Sequence, residues 1–159
     1  MKGTEKQIKW AKDIMNGAIG TVLANIDRLQ PYVDRGEKPE RIEQEVYKEM
    51  LEMLSNKFDS IDDAAYVIEH RHTWDPARIN ELVSREAEKR RLAIPQNDEE
   101  KTDEQIEEAI EDTEKQIAWY ESEAEQFSED EKYRTIYENG ADRMRKRLKV
   151  LKEIRDKRK

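Results

Sequence analysis

The sequence predicts an all-α protein: an N-terminal helical domain of about four helices, followed by a long antiparallel coiled-coil helical hairpin. Three observations predict it. Apolar residues recur at three- and four-residue spacing through most of the chain, which is the helical period. Only 5 Gly and 4 Pro interrupt 159 residues. Charged residues make up 43% against 35% apolar, more charge than an ordinary globular domain carries, so the core must be narrow, as helix seams are. Disorder is the rival reading of such composition, and the periodicity argues against it. The boundary is Ile94-Pro95-Gln96-Asn97-Asp98, which separates a helical domain over 1–95 from a charged hairpin over 98–159.

The first helix opens on Thr4-Glu5-Lys6-Gln7, a capping box in which the Thr hydroxyl accepts from the Gln7 amide and the Gln7 side chain reaches back. Its inner face is Ile8, Ala11, Met15, Ala18, Val22, Ile26 and Leu29. Gly17 and Gly20 lie inside it, each costing about 1 kcal/mol relative to Ala, so they are expected to permit a close helix contact or mark a kink. Pro31 is expected to end the helix near Gln30. Asp34–Lys38 reads as a turn, and Pro39 suits a first helical turn. The second helix, about 39–57, should bury Ile42, Val46, Met50, Met53 and Leu54.

Asp59 or Ser60 is expected to cap a short third helix, with Ile61, Ala64, Ala65 and Ile68 inward and Tyr66 and Val67 flanking. His70–Trp74 is a connector. Asp75-Pro76 is a strong helix start, with Asp as N-cap and Pro first; the fourth helix, about 76–92, buries Ile79, Leu82, Val83 and Ala87.

Thr102-Asp103-Glu104-Gln105 repeats the capping-box pattern. The following apolar residues, Ile106, Ile110, Thr113, Ile117, Tyr120, Ala124 and Phe127, alternate spacings of four and three, a heptad seam. A second seam runs Tyr137, Ala141, Met144, Leu148, Leu151. Ser128-Glu129-Asp130-Glu131 reads as another capping box, placing a tight turn at Phe127–Ser128. The alternative is one continuous helix through Glu131, because no Gly or Pro breaks it.

The net charge of −8 hides an asymmetry. Residues 98–131 carry 16 acidic and 2 basic side chains, whereas residues 132–159 carry 4 acidic and 12 basic. Folding back would set an acidic arm beside a basic one. There is no Cys, which excludes disulfides and thiolate zinc sites. The opening residues lack the apolar run of a signal peptide, no stretch approaches the roughly 20 apolar residues that span a bilayer, and the expectation is a cytoplasmic protein with no membrane partner.

No Gly-rich phosphate loop, Ser/His/Asp context or His-Glu-x-x-His occurs, so no catalytic residues are assigned and an enzyme is not expected. His70, His72 and Asp75 offer metal-ligand chemistry, but a two-residue spacing sets the imidazoles on different helix faces and no third His exists; no metal and no cofactor are assigned. The acidic arm has a sharper reading. A rigid row of carboxylates can occupy a protein's nucleic-acid groove or steer association with a basic partner, and Glu104, Glu107, Glu108, Glu111 and Glu114 are the candidate partner-binding residues. The basic run Arg143, Arg145, Lys146, Arg147 and Lys149 is the alternative, a nucleic-acid contact of salt-dependent strength, set against internal pairing with the acidic arm. Trp10, Trp74 and Trp119 are either packed against neighbouring helices or binding anchors.

Gly3-Thr4-Glu5-Lys6-Gln7-Ile8-Lys9-Trp10-Ala11 resembles the opening of a group of small, mostly uncharacterised proteins from phages, plasmids and other mobile elements of Firmicutes. Their second mark is a short helix, Ala-x-(Phe/Trp)-(Trp/Val)-Ile-(Asp/Glu)-x-Arg, matched here by Ala64–Arg71 with departures at Tyr66, Val67 and His70. The resemblance covers about residues 3–72 and implies a mobile-element origin but no activity, so no functional residues carry over. By analogy, small acidic proteins of such origin are often inhibitors of host defence, anti-CRISPR proteins that bind a Cas nuclease among them. The expectation is thus a non-catalytic protein-binding module, an anti-CRISPR-type inhibitor of a host nucleic-acid-targeting nuclease with a basic surface. The alternatives are a nucleic-acid-binding accessory protein and a structural coiled-coil oligomer.

Overall fold

Six α-helices and two short 3₁₀ turns carry the chain in a computed structural model that describes residues 1–159. The helices are α1 (Glu5–Asp34), α2 (Lys38–Asp59), α3 (Ala64–Glu69), α4 (Pro76–Ala93), α5 (Asp103–Gln126) and α6 (Glu131–Lys157). The 3₁₀ turns are Arg71–Trp74 and Asp98–Glu100. The protein is all-helical, and its single β-type contact is an isolated bridge between Lys2 and Asp63. The chain divides into two units, Met1–Gln30 with Ile42–Arg91, and Pro31–Arg41 with Leu92–Lys159. The α1–α2 turn and its flanks thus group with the C-terminal helices, a grouping that no shift in composition marks.

The first unit is held by an apolar core. Ala11, Ala18, Val22 and Leu29 of α1 meet Val46, Tyr47 and Leu54 of α2, Ala64 and Val67 of α3, Trp74, and Ile79 and Val83 of α4. Ile8, Met15 and Ile26 pack against the same cluster, so the inner face of α1 is the one its spacing predicts. Polar groups within this unit are paired. Tyr47 donates to Asn80 Oδ1 at 2.8 Å, and Gln44 Nε2 donates to the Ile26 carbonyl and to Gln30 Oε1. Such satisfied contacts tie α1, α2 and α4 in one arrangement without leaving a buried donor unmade.

Several local expectations are corrected. α1 does not stop at Gln30 but runs through Pro31 to Asp34. Proline removes one N–H and so one rung, while its own carbonyl still accepts from Arg35 N at 3.2 Å, and a last turn tolerates that loss. Gly17 and Gly20 neither admit a close neighbour nor interrupt α1: a Cβ at either would meet nothing within 4 Å. Met53 is 55% exposed. The cap of α3 is Asp63, whose side chain accepts from Ala65 N, and not Asp59 or Ser60. That later start shifts the helix phase, so Val67 turns inward and Ala65 outward.

In the second unit the capping box at Thr102 forms as expected, with both reciprocal bonds to Gln105. Helix α5 ends at Gln126, with the Phe127 N–H bonded to the Glu123 carbonyl. α6 restarts after Asp130, whose side chain caps Tyr133 N. The alternative of a single continuous helix is therefore excluded, and the cap is Asp130, not Ser128. α5 and α6 lie side by side. Ile106 and Ile110 pack with Leu151 and Ile154. Farther along, Trp119, Tyr120 and Phe127 cluster with Tyr137. Gly140 makes this approach possible, since a Cβ there would sit 2.5 Å from the Tyr120 ring.

The glycines yield an opposed pair of outcomes. Gly17→Ala fills open space in a helix and should raise stability by about 0.5–1 kcal/mol. Gly140→Ala forces Tyr120 aside and should lower it by about 1–3 kcal/mol, as overpacking does. Urea denaturation checks both, and equal effects of like sign would contradict the close approach of α5 and α6 at Gly140.

Candidate functional site

The second unit concentrates the charge, and the position of each side chain follows from helix geometry. Along α5, residues three and four apart share a face. Asp103, Glu107, Glu114 and Glu121 fall on the flank beside α6, and each meets a cation of that helix or of its C-cap: Asp103–Arg158 at 3.0 Å, Glu107–Arg155 at 4.0 Å, Glu114–Lys152 at 3.8 Å and Glu121–Arg145. Asp98, before α5, adds a fifth rung with both guanidinium nitrogens of Arg147.

The five predicted contact glutamates therefore do not act as one group. Glu107 and Glu114 belong to the cross-helix ladder. Glu108 turns the other way, 3.7 Å from Arg41. Glu111 meets only Lys115, one turn on along its own helix, and its side chain is 70% exposed. Glu104 is exposed and enters no ion pair. Glu104 and Glu111 share the outward side of α5, two turns apart.

The basic run divides similarly. Arg145 is held by Glu121 and Asp142, and Arg147 by Asp98. Arg143, Lys146 and Lys149 are exposed and carry no ion partner. Of the tryptophans, Trp74 is buried edge-on to Phe58. Trp119 lies within the α5–α6 aromatic cluster, with the Arg35 guanidinium 5.5 Å from its ring. Trp10 stays 49% exposed under the Arg71 guanidinium, 5.7 Å away. His70 is bonded to the Tyr66 carbonyl and His72 to Asp75, so the two imidazoles face different partners.

One constellation was not legible in the sequence. The turn at Gly36 has φ +79°, and a Cβ there would collide with the Asp112 carbonyl; only glycine serves both demands. The Gly36 carbonyl accepts from Gln116 Nε2 at 3.1 Å. Arg41 Nε lies 3.0 Å from both oxygens of Asp112, a carboxylate almost wholly buried. Burial pushes the Asp112 carboxyl above the usual carboxylate range, and the Arg41 charge and hydrogen bond oppose that rise. Lys101, 5% exposed, donates to Asp98 at 2.7 Å and to the Gln96 carbonyl at 3.3 Å. The one signal for this group was an acid, Asp112, directly beside the Thr113 seam position.

No protein-family model matches this chain, and neither a curated protein nor a solved structure matches it.

The Arg41–Asp112 pair predicts an asymmetric response. Arg41→Met leaves Asp112 buried and uncompensated and should cost about 3–5 kcal/mol; Asp112→Asn, which removes the buried charge and keeps a polar partner, should cost clearly less. The pH dependence has a definite sign. A carboxyl whose pKa is higher folded than unfolded binds more protons in the folded state, so its contribution to stability grows as pH falls from the folded value toward the unfolded one. Wild-type stability should therefore gain on Asp112→Asn over that acidic interval. Chemical denaturation at stepped pH reads this difference, and a loss in its place would reverse the assignment of burial as the dominant cause.

Proposed function

We propose that this protein is a non-catalytic protein-binding module, an anti-CRISPR-type inhibitor from a mobile element that covers the basic nucleic-acid surface of a host defence nuclease. The observation that carries the reading is the charge left over once the helix ladder has formed. Glu104 and Glu111 project from one side of α5 with no α6 cation opposite them, and Glu107, Glu108 and Glu114 border that side. Carboxylates three or four residues apart repeat about every 4.5–6 Å along a helix axis. Fixed on a rigid helix, they offer a basic groove a regular row of negative charge, as a phosphate backbone does, and long-range attraction speeds the encounter. The architecture that suits this use is an N-terminal domain of about four helices bearing an antiparallel coiled-coil hairpin, with α5 and α6 as its arms.

The test is recovery of a partner from host lysate by tagged pull-down, before and after nuclease treatment, followed by affinity measurement. Glu104→Lys with Glu111→Lys leaves the α5–α6 ladder intact, so circular dichroism should be unchanged while affinity falls at least tenfold. Unchanged affinity would remove the acidic side of α5 from the account.

A second reading rests on Arg143, Lys146 and Lys149, the three cations of the basic run that the acidic arm does not absorb. As a nucleic-acid contact they would give an affinity that falls with salt, and replacing all three by Gln should reduce the slope by about 2–3. A pull-down signal that disappears with nuclease treatment favours this reading over the first.

A further inference from the structure

Between the start of α2 and the sides of α5 and α6 lies a cavity of about 80 Å³, lined by Lys38, Arg41, Lys101 and Arg147 together with Glu108 and Asp112. A single water needs about 10–15 Å³ of such space, so several waters or one small polyatomic ion fit, and a nucleobase does not. Four cations converge here from α2, from the segment before α5 and from α6. Three are compensated by protein groups: Arg41 by Asp112 and Glu108, and Lys101 and Arg147 by the shared carboxylate of Asp98. Lys38 enters no ion pair of this kind, and the one opposite charge that acts on it is that of Asp112.

Two further features make the position of Lys38 costly. It is the first residue of a 22-residue helix, where the helix dipole is positive and a cation is disfavoured. Its ammonium is also held below the usual lysine range, by burial first and then by the charges of Lys101, Arg41 and Arg147, with Asp112 alone opposing. Two of the neutral donors on the wall are already committed. Thr113 donates to the Ala109 carbonyl and Gln116 to the Gly36 carbonyl. The cavity therefore has one surplus positive charge, from a side chain in no ion pair of this kind.

We infer that this cavity is a binding site for a phosphate-type oxyanion, either the free ion or the terminal group of a phosphomonoester, with Lys38 as its principal ligand and the guanidinium groups of Arg41 and Arg147 on its flanks. A tetrahedral oxyanion accepts hydrogen bonds from several directions at once, which suits donors arriving from separate helices. The Asp112 and Glu108 carboxylates that bound the space on the α5 side are both paired with Arg41. This site does not involve Glu104 or Glu111 on the outward side of α5.

Isothermal titration calorimetry at constant ionic strength tests the site with two probes, inorganic phosphate and adenosine 5′-monophosphate. Saturable binding of either is expected, weakened at least tenfold in Lys38→Gln and retained in Lys38→Arg and in Lys146→Gln, an exposed cation outside the cavity. Phosphate alone would identify the free ion as the ligand, and the nucleotide alone the monoester. Absence of saturation with both probes, or equal binding by Lys38→Gln, overturns the inference. Nitrogen-detected NMR of the Lys38 ammonium in the unaltered chain provides a readout that does not depend on any variant folding. Its pKa should rise when the saturating probe is added, and an unmoved titration counts equally against the site.

Discussion

The cross-helix ladder between α5 and α6 is the interaction on which the second unit depends for its register. The fully apolar part of that seam is thin, with Ile106, Ile110, Leu151 and Ile154 at one end and half-buried aromatic rings toward the other. Rings of this kind slide and tilt at modest cost, so they fix an axial position poorly. The rungs from Asp103–Arg158 to Glu121–Arg145 fix it instead. Exposed ion pairs contribute about 0–1 kcal/mol each, so they are not the main source of stability. Their effect is selective. A slip of either helix would set carboxylate against carboxylate, and two copies of α5 would repel each other along their length.

The two units solve the problem of a small apolar supply differently. The first gathers its apolar residues from four helices and the Trp74 turn into one cluster, and its polar groups at that core are neutral: buried Gln44 and Tyr47, with half-buried Asn80. The second has charge inside as well as outside. Lys101 and Asp112 are nearly inaccessible, and each is compensated by an opposite charge at hydrogen-bond distance. Taking an ion out of water costs several kcal/mol even after relaxation, so these pairs are poor stabilisers. What they impose is geometry: Arg41 must reach Asp112, and that in turn requires the tight turn at Gly36 against the α5 backbone.

That difference explains what the sequence revealed. The helix content, the α1 inner face and the Thr102 capping box follow from periodicity and local cap chemistry, which a linear chain displays directly. The corrected elements each turned on a competing local rule. Pro31 has the character of a terminator, but one lost donor in a last turn is tolerated. Asp59 and Ser60 have the cap chemistry the sequence suggests, but the side chain that reaches an unpaired amide is that of Asp63. The charged constellation at Gly36, Arg41, Lys101 and Asp112 brings together residues up to 76 apart by number, and no periodicity encodes it. The glutamates of α5 were legible as a set, but their division was not, because it depends on which side of α5 the cations of α6 approach.

Charge in such a protein has two competing uses, and a residue committed to one is withdrawn from the other. Most arginines of α6 and its C-cap are spent on internal pairing: Arg145, Arg147, Arg155 and Arg158 each meet acids of α5 or of the segment before it. An arginine is well suited to this, because its planar fork binds a carboxylate in fixed geometry. Three of the α6 lysines left outside, Lys146, Lys149 and Lys157, are point charges on flexible stems, which lose more freedom when held. On α5 the same sorting leaves Glu104 unspent and Glu111 only weakly engaged. Total charge is therefore a poor guide to where a chain of this composition can bind. The informative residues are those that internal pairing passes over, and they lie at separate places: the outward side of α5, the exposed lysines of α6, and the half-buried Lys38.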